Sequence, residues 1–144
     1  MIDRVKAFLK EKDMCVLATT HEGRPHCSLM AYVTDEEAEW IYMVTLRTTT
    51  KYKNLLSNEQ VSLLVDNRCE GLPAERSKIQ ALTVHGTFHM VEDEEKRTQI
   101  LEQFLIRHPH MKQFLDHPEV EIISVRAQSF LFLDGISDAH RMTL

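Results

Sequence analysis

A mainly β fold, a β-barrel with peripheral helices in a single domain spanning residues 1–144, is what this sequence predicts. Two observations carry that expectation. Short apolar runs, several with two-residue alternation, recur along the chain with turn residues between them. The early runs are joined by tight turns rather than helical crossovers, which favours antiparallel pairing, and about seven short strands favour a barrel over an open sheet.

The elements follow in order. Ile2, Val5, Phe8 and Leu9 recur at helical spacing, which predicts a short amphipathic helix over 2–12. "MCVLATT", Met14 to Thr20, is a compact apolar run with β-branched content and reads as a strand. "HEGRP" supplies Gly23 and Pro25 for a turn. From His26 the chain alternates, with Cys27, Leu29, Ala31 and Val33 on one face and His26, Ser28, Met30 and Tyr32 on the other. After the polar "TDEEAE", Trp40 to Thr45 is the returning strand of a hairpin. Residues 50–57 read as one or two helical turns, and Val61 to Asp66 as another strand. "NRCEGLPAERSK" has loop composition. Ala81 to Val91 alternates. Asp93 caps a helix with Ile100, Leu101, Phe104 and Leu105 on one side, and Pro109 starts a second short helix through Leu115. Two last strands, Val120 to Val125 and Phe130 to Leu133, are separated by "RAQS". A barrel this small fills its interior with side chains, so a ligand belongs on the outside or at a subunit contact.

Composition narrows the function classes. A formal net charge of −5 argues against a nucleic-acid role. The 3 cysteines, Cys15, Cys27 and Cys69, form neither a paired framework nor a CxxC, which fits reduced thiols and a cytoplasmic location. The first residues lack a long apolar stretch, so no signal peptide is expected, and no apolar run approaches the roughly 20 residues that span a bilayer, so no membrane partner is expected. With 4 glycines and no GxGxxG or GxxxxGK[ST], the Gly-rich phosphate loops are absent. The 8 histidines include His85 and His89 on one strand face, but four residues of strand separate them by about 13 Å, too far for one metal. No metal site is expected. Cys15 and Cys27 read as core residues, and Trp40 and Tyr42 as packing aromatics.

The stretch "TLRTTTKYKNLL" is more unusual. Thr48, Thr49 and Thr50 bring hydroxyls, Lys51 a point cation, and Arg47 a fork that matches two phosphate oxygens. If a helix starts near Thr50, its first N–H groups and positive dipole end join them, and the set makes a phosphate site without glycine. The same residues also suit an N-cap followed by solvated surface cations.

Three blocks, "LATTHEGRPHCSLMAYVTD", "WIYMVTLRTTTKYKNLLSNEQVSLLVD" and "IQALTVHGTFHMVED", together resemble the pyridoxamine 5′-phosphate oxidase-like FMN-binding split-barrel family over roughly residues 12–93. The shared pattern rests on Gly23-Pro25, Thr45, Thr50-Lys51, Asn54-Leu55, Asn58, Val61 to Val65 and Gly86. The resemblance implies FMN at a homodimer interface. Thr50 and Lys51 would hold its phosphate, with Arg47 and Thr49 in support. Val44 and Thr45 would line the ring and ribityl chain, and Ser28-Leu29-Met30 would run along the isoalloxazine edge. Gln80, or its neighbour Ala81, falls where the oxidases place a glutamine near the ring. Thr50 stands where the oxidases carry arginine, and "DAHRMTL" departs from their terminal arginine segment, so pyridoxamine phosphate is not the expected substrate. The expectation is an FMN-dependent oxidoreductase using a small-molecule electron donor. The alternatives are a non-enzymatic flavin carrier or stress protein, and a relative that uses haem or deazaflavin.

Overall fold

The computed structural model describes all of residues 1–144. The chain runs α1 (Ile2–Glu11), β1 (Met14–His21), β2 (Arg24–Ala31), β3 (Val33–Thr34), β4 (Trp40–Leu46), α2 (Thr50–Ser57), β5 (Gln60–Asp66), β6 (Gln80–His89), α3 (Glu94–Arg107), α4 (Lys112–Leu115), β7 (Val120–Asp134) and β8 (Asp138–Thr143). A 3-10 turn, Pro73–Lys78, lies between β5 and β6, and another, Pro109–Met111, leads into α4.

All pairings are antiparallel, in the order β2-β1-β5-β6-β7-β4-β3, with β8 added to β7. The two end strands of that path, β2 and β3, are joined in sequence by Tyr32 alone. A sheet whose ends are one residue apart in the chain must curl round, and the right-handed twist of its strands lets it do so. Tyr32 is fully buried at this junction and donates its hydroxyl to the Leu9 carbonyl at 2.6 Å, tying α1 to the seam. The result is a mainly β split barrel with peripheral helices, as the sequence predicts.

Alternation sets the core. Leu17, Leu63, Leu82, Val84, Phe130 and Phe132 point into the barrel and meet Phe8 and Leu9 of α1. β4 is buried on both faces, which explains its unbroken apolar run. Ile41 and Met43 face the barrel interior, while Tyr42 and Val44 pack on Ile100 and Phe104 of α3. Residues Glu22 and Gly23 form the two-residue β1–β2 turn, and both have positive φ, 50° and 76°. That is the twist a type I′ hairpin demands, and Gly23 meets it without strain.

The strand count differs from the expectation in the C-terminal half. "RAQS" does not interrupt the chain: β7 is one strand of 15 residues, and its pairing with β6 slips once between His85 and Gly86. The slip absorbs Gln128, so polar residues that resemble a loop form a bulge within a continuous strand. Gly86 is required there, because a Cβ would fall onto the Arg126 carbonyl oxygen and lie 2.8 Å from Val125 Cγ1. The sequence reading does not include β8; "DAHRMT" pairs with the outer edge of β7 and sends only Met142 against the core, too little for a strand pattern. β6 ends at His89, before Met90 and Val91. Cys27 is exposed on the outward face of β2, whereas Cys15 is buried against Met43 with a sulfur–sulfur separation of 3.8 Å.

Candidate functional site

The curl leaves a split between β2 and β4. β2 ends the sheet path, so one row of its backbone N–H and C=O groups faces that split without a strand partner. A cleft of about 260 Å³ opens there, lined by Leu29, Met30 and Ala31 of β2, Val44, Thr45 and Leu46 of β4, Thr49 and Lys51 of the following turn and helix, and Met111 and Phe114. Seven of these ten residues are hydrophobic, so the cleft suits a largely apolar, flat body with one anionic end at Lys51.

The turn that supplies the anion-binding end is built by threonines. Thr49 is the N-cap of α2: its hydroxyl accepts from the Tyr52 N–H at 3.4 Å and donates to the Leu46 carbonyl at 3.0 Å. Thr45 lies 2.9 Å from the same hydroxyl. The single Thr49 proton is thus spent inside the turn, and its contribution is to shape the site. The cap reaches Tyr52, and the Thr49 carbonyl takes the Lys53 N–H, so the N–H groups of Thr50 and Lys51 have no intrachain partner. They form the positive end of α2. Thr48 and Thr50 are exposed, with their hydroxyls outside these bonds.

Lys51 is the cation of the cleft. It is half-buried, makes no ion pair, and burial lowers its pKa from the ordinary 10.5. A partly desolvated ammonium without a counter-charge is unfavourable by itself, and an anion in the cleft would relieve that cost. Arg47 is turned elsewhere. Its guanidinium bonds Glu121 through Nη2 at 2.8 Å and Nε at 3.2 Å, which holds it firmly charged. Glu121 also receives Arg97 Nη1 at 3.5 Å, and Arg97 Nη2 donates to the Val120 carbonyl at 2.7 Å.

Of the residues singled out in the sequence, Leu29, Met30, Val44, Thr45, Thr49 and Lys51 converge on this cleft. Ser28 precedes Leu29 on the same open strand, and Thr50 stands beside Lys51 at the helix start. Arg47 does not line the cleft, because Glu121 engages it. Gln80 does not reach it either. It pairs with Asp134 at the far end of β7 from the Leu46–Val120 pair, and its side chain donates to the Asp134 carboxylate at 3.1 Å. Sequence reasoning missed Met111 and Phe114, although their three-residue spacing after Pro109 puts both on one side of a helical turn. It also missed Glu121, which no local pattern distinguishes from a solvated strand residue. Across the chain, no group of three or more His, Cys, Asp or Glu side chains is arranged to hold a metal ion. No helix is long and apolar enough to cross a membrane.

Comparison with known proteins places this geometry in context. A family profile described as pyridoxamine 5′-phosphate oxidase matches residues 1–134. No curated protein matches the sequence. Among solved structures, the heme binding protein of Mycobacterium smegmatis superposes with a TM-score of 0.85 at 16% identity, covering 99% of this chain and 57% of that one. This chain thus spans a little over half of the mycobacterial protein. General Stress Protein 26 of Bacillus anthracis gives 0.72 at 17% identity, covering 99% of this chain and 98% of that one. A FAD-binding protein of Mesorhizobium loti gives 0.72 at 13% identity, covering 90% and 91%. At such identities the likeness is one of fold.

Proposed function

This chain belongs to the pyridoxamine 5′-phosphate oxidase family, and from that premise we propose that it binds FMN in the cleft between β2 and β4 and serves as an FMN-dependent oxidoreductase. The observation that carries the reading is Lys51, half-buried and unpaired beside two free backbone N–H groups, in a cleft whose other lining residues are apolar or threonine. The donor set fits a phosphate, and the slot fits a flat ring.

In this reading Lys51 Nζ, the Thr50 and Lys51 N–H groups and the Thr50 hydroxyl hold the phosphate. Val44 and Thr45 face the ribityl chain. The free backbone row at Ser28-Leu29-Met30 meets the polar edge of the ring, and Met111 and Phe114 close the remaining side. The flavin, when bound, supplies the hydride and electron transfer. The protein's part is placement and exclusion of water. Lys51 is the only ionisable side chain lining the cleft, and its role is to bind an anion.

The outer surface of the sheet supports the homodimer of this reading. Leu29, Val16, Leu64, Thr83 and Leu131 are directly paired across five strands, β2, β1, β5, β6 and β7, on the face away from the barrel core. Leu29 is 72% exposed and continues that row into the cleft. A two-fold partner laid on this row would cover it and the open side of both clefts at once. Haem is the weaker reading for this cleft: methionine and lysine are its only side chains able to reach an iron, and no histidine, cysteine or tyrosine lines it. The non-enzymatic alternative, a flavin carrier or stress protein, rests on the lack of a recognisable substrate clamp.

The test is direct. The purified protein, freed of any ligand and titrated with FMN, should quench flavin fluorescence and retain yellow colour through gel filtration. Anaerobic addition of NADH or NADPH should then bleach it. Bound flavin that neither donor bleaches would favour the carrier, and failure to bind FMN would reject the assignment.

A further inference from the structure

The cation best shaped to grip a phosphate, Arg47, is held away from the cleft by a single carboxylate. We infer that Glu121 sets the protein's preference for the phosphorylated over the unphosphorylated flavin by keeping Arg47 out of the phosphate site; this rests on the FMN reading above.

The geometry supports this in three ways. Arg47 lies two residues before the N-cap Thr49, and Glu121 is the direct cross-strand partner of Thr45, a residue of the cleft. Both Arg47 contacts converge on one Glu121 oxygen, Oε1, which ties the guanidinium to β7, and Arg47 is not among the residues that line the cleft. Glu121 is itself poorly exposed, at 18% of its side chain, so it resists losing a partner. If Arg47 left, the carboxylate would keep only the 3.5 Å contact to Arg97, whose other arm is committed to the Val120 carbonyl. A partly desolvated carboxylate left with one long contact is costly. Arg47 therefore stays, and the phosphate is left to Lys51 and the helix start.

The consequence is that binding strength is tempered at a residue that touches neither the flavin nor its phosphate. Glu121→Gln keeps the size of the side chain and removes its charge, so the ion pair that holds Arg47 on β7 is lost. The experiment measures affinities for FMN and riboflavin side by side by fluorescence quenching, in wild-type protein, Glu121→Gln, Arg47→Met and the double variant, with circular dichroism to confirm folding. Glu121→Gln should tighten FMN by about tenfold, the scale of one added charge-assisted hydrogen bond, and leave riboflavin unchanged. Arg47→Met alone should leave FMN affinity unchanged, and the double variant should lose most of the gain. FMN affinity unchanged or weakened in Glu121→Gln overturns the inference. So does a weakening in Arg47→Met alone, because Arg47 would then already serve the phosphate; this second variant decides the matter even if Glu121→Gln does not fold. If wild-type protein binds neither flavin, the FMN assignment falls and this inference falls with it. If it binds both and only the variant pattern differs, the inference alone is rejected.

Discussion

Replacing Lys51 by methionine keeps most of the side chain's reach and removes its charge, so it separates the two roles the ammonium plays. In the free protein Lys51 is half-buried and unpaired, and burial depresses its pKa. Removing that charge should raise the melting temperature of the apo-protein. The holo-protein should respond in the opposite sense. One charge-assisted hydrogen bond to the phosphate is lost, about 1.5–3 kcal/mol, which weakens FMN roughly ten- to hundredfold. Riboflavin, which has no phosphate, should bind both proteins alike. The pH dependence follows with a definite sign. A base whose folded pKa lies below its unfolded value binds fewer protons when folded in the window between them. Apo stability should therefore rise with pH as the window up to 10.5 is crossed. FMN needs the protonated ammonium and the doubly ionised phosphate, so its affinity should rise through pH ~6 and fall at alkaline pH earlier than an unperturbed lysine would dictate. Fluorescence titrations of both flavins across pH, with thermal melts of both apo-proteins, make the test. Equal weakening of FMN and riboflavin by Lys51→Met, or no weakening of either, would refute the reasoning.

Other predictions address the fold and assembly. Gly86→Ala forces a Cβ onto the Arg126 carbonyl at the β6–β7 slip, and should destabilise the protein by at least about 1–3 kcal/mol in chemical denaturation. Phe104→Ala empties a fully buried site between α3 and β4, and should cost about 3–5 kcal/mol in the same assay. Leu131→Glu places a charge in the outer apolar row; light scattering should show the mass falling from dimer to monomer, with weaker flavin retention. The Cys15 thiol is pushed up to about 12 by burial, so a thiol reagent at neutral pH should modify exposed Cys69 in the native protein and Cys15 only on unfolding.

Much of the barrel was legible because its information is local. The β1–β2 hairpin is written in "HEGRP", and the α3 start in Asp93, which accepts the Glu95 N–H at 3.1 Å. The two-sided burial of β4 shows in "WIYMVT". What escaped notice depends on partners distant in sequence. "RAQS" looks like a loop until β6 is laid beside it, and β8 has no pattern of its own because it covers an edge. The site divides in the same way. Lys51 and Thr49 were readable from one short turn, but the Leu46 carbonyl takes the Thr49 proton. Arg47 was drawn off by Glu121, 74 residues away. Met111 and Phe114 enter the cleft only because α3 folds back. Arg107, donating to the carbonyls of Lys10, Glu11 and Lys12, anchors that return against the end of α1.

The central claim is that a phosphate sits at the start of α2. The measurement that tests it most directly is a crystal structure of the protein grown with FMN. The account predicts the phosphate within hydrogen-bonding distance of Lys51 Nζ and the Thr50 and Lys51 N–H groups, with the ring in the cleft toward the open edge of β2. FMN bound with its phosphate away from this turn, or a turn left empty beside excess FMN, would contradict it.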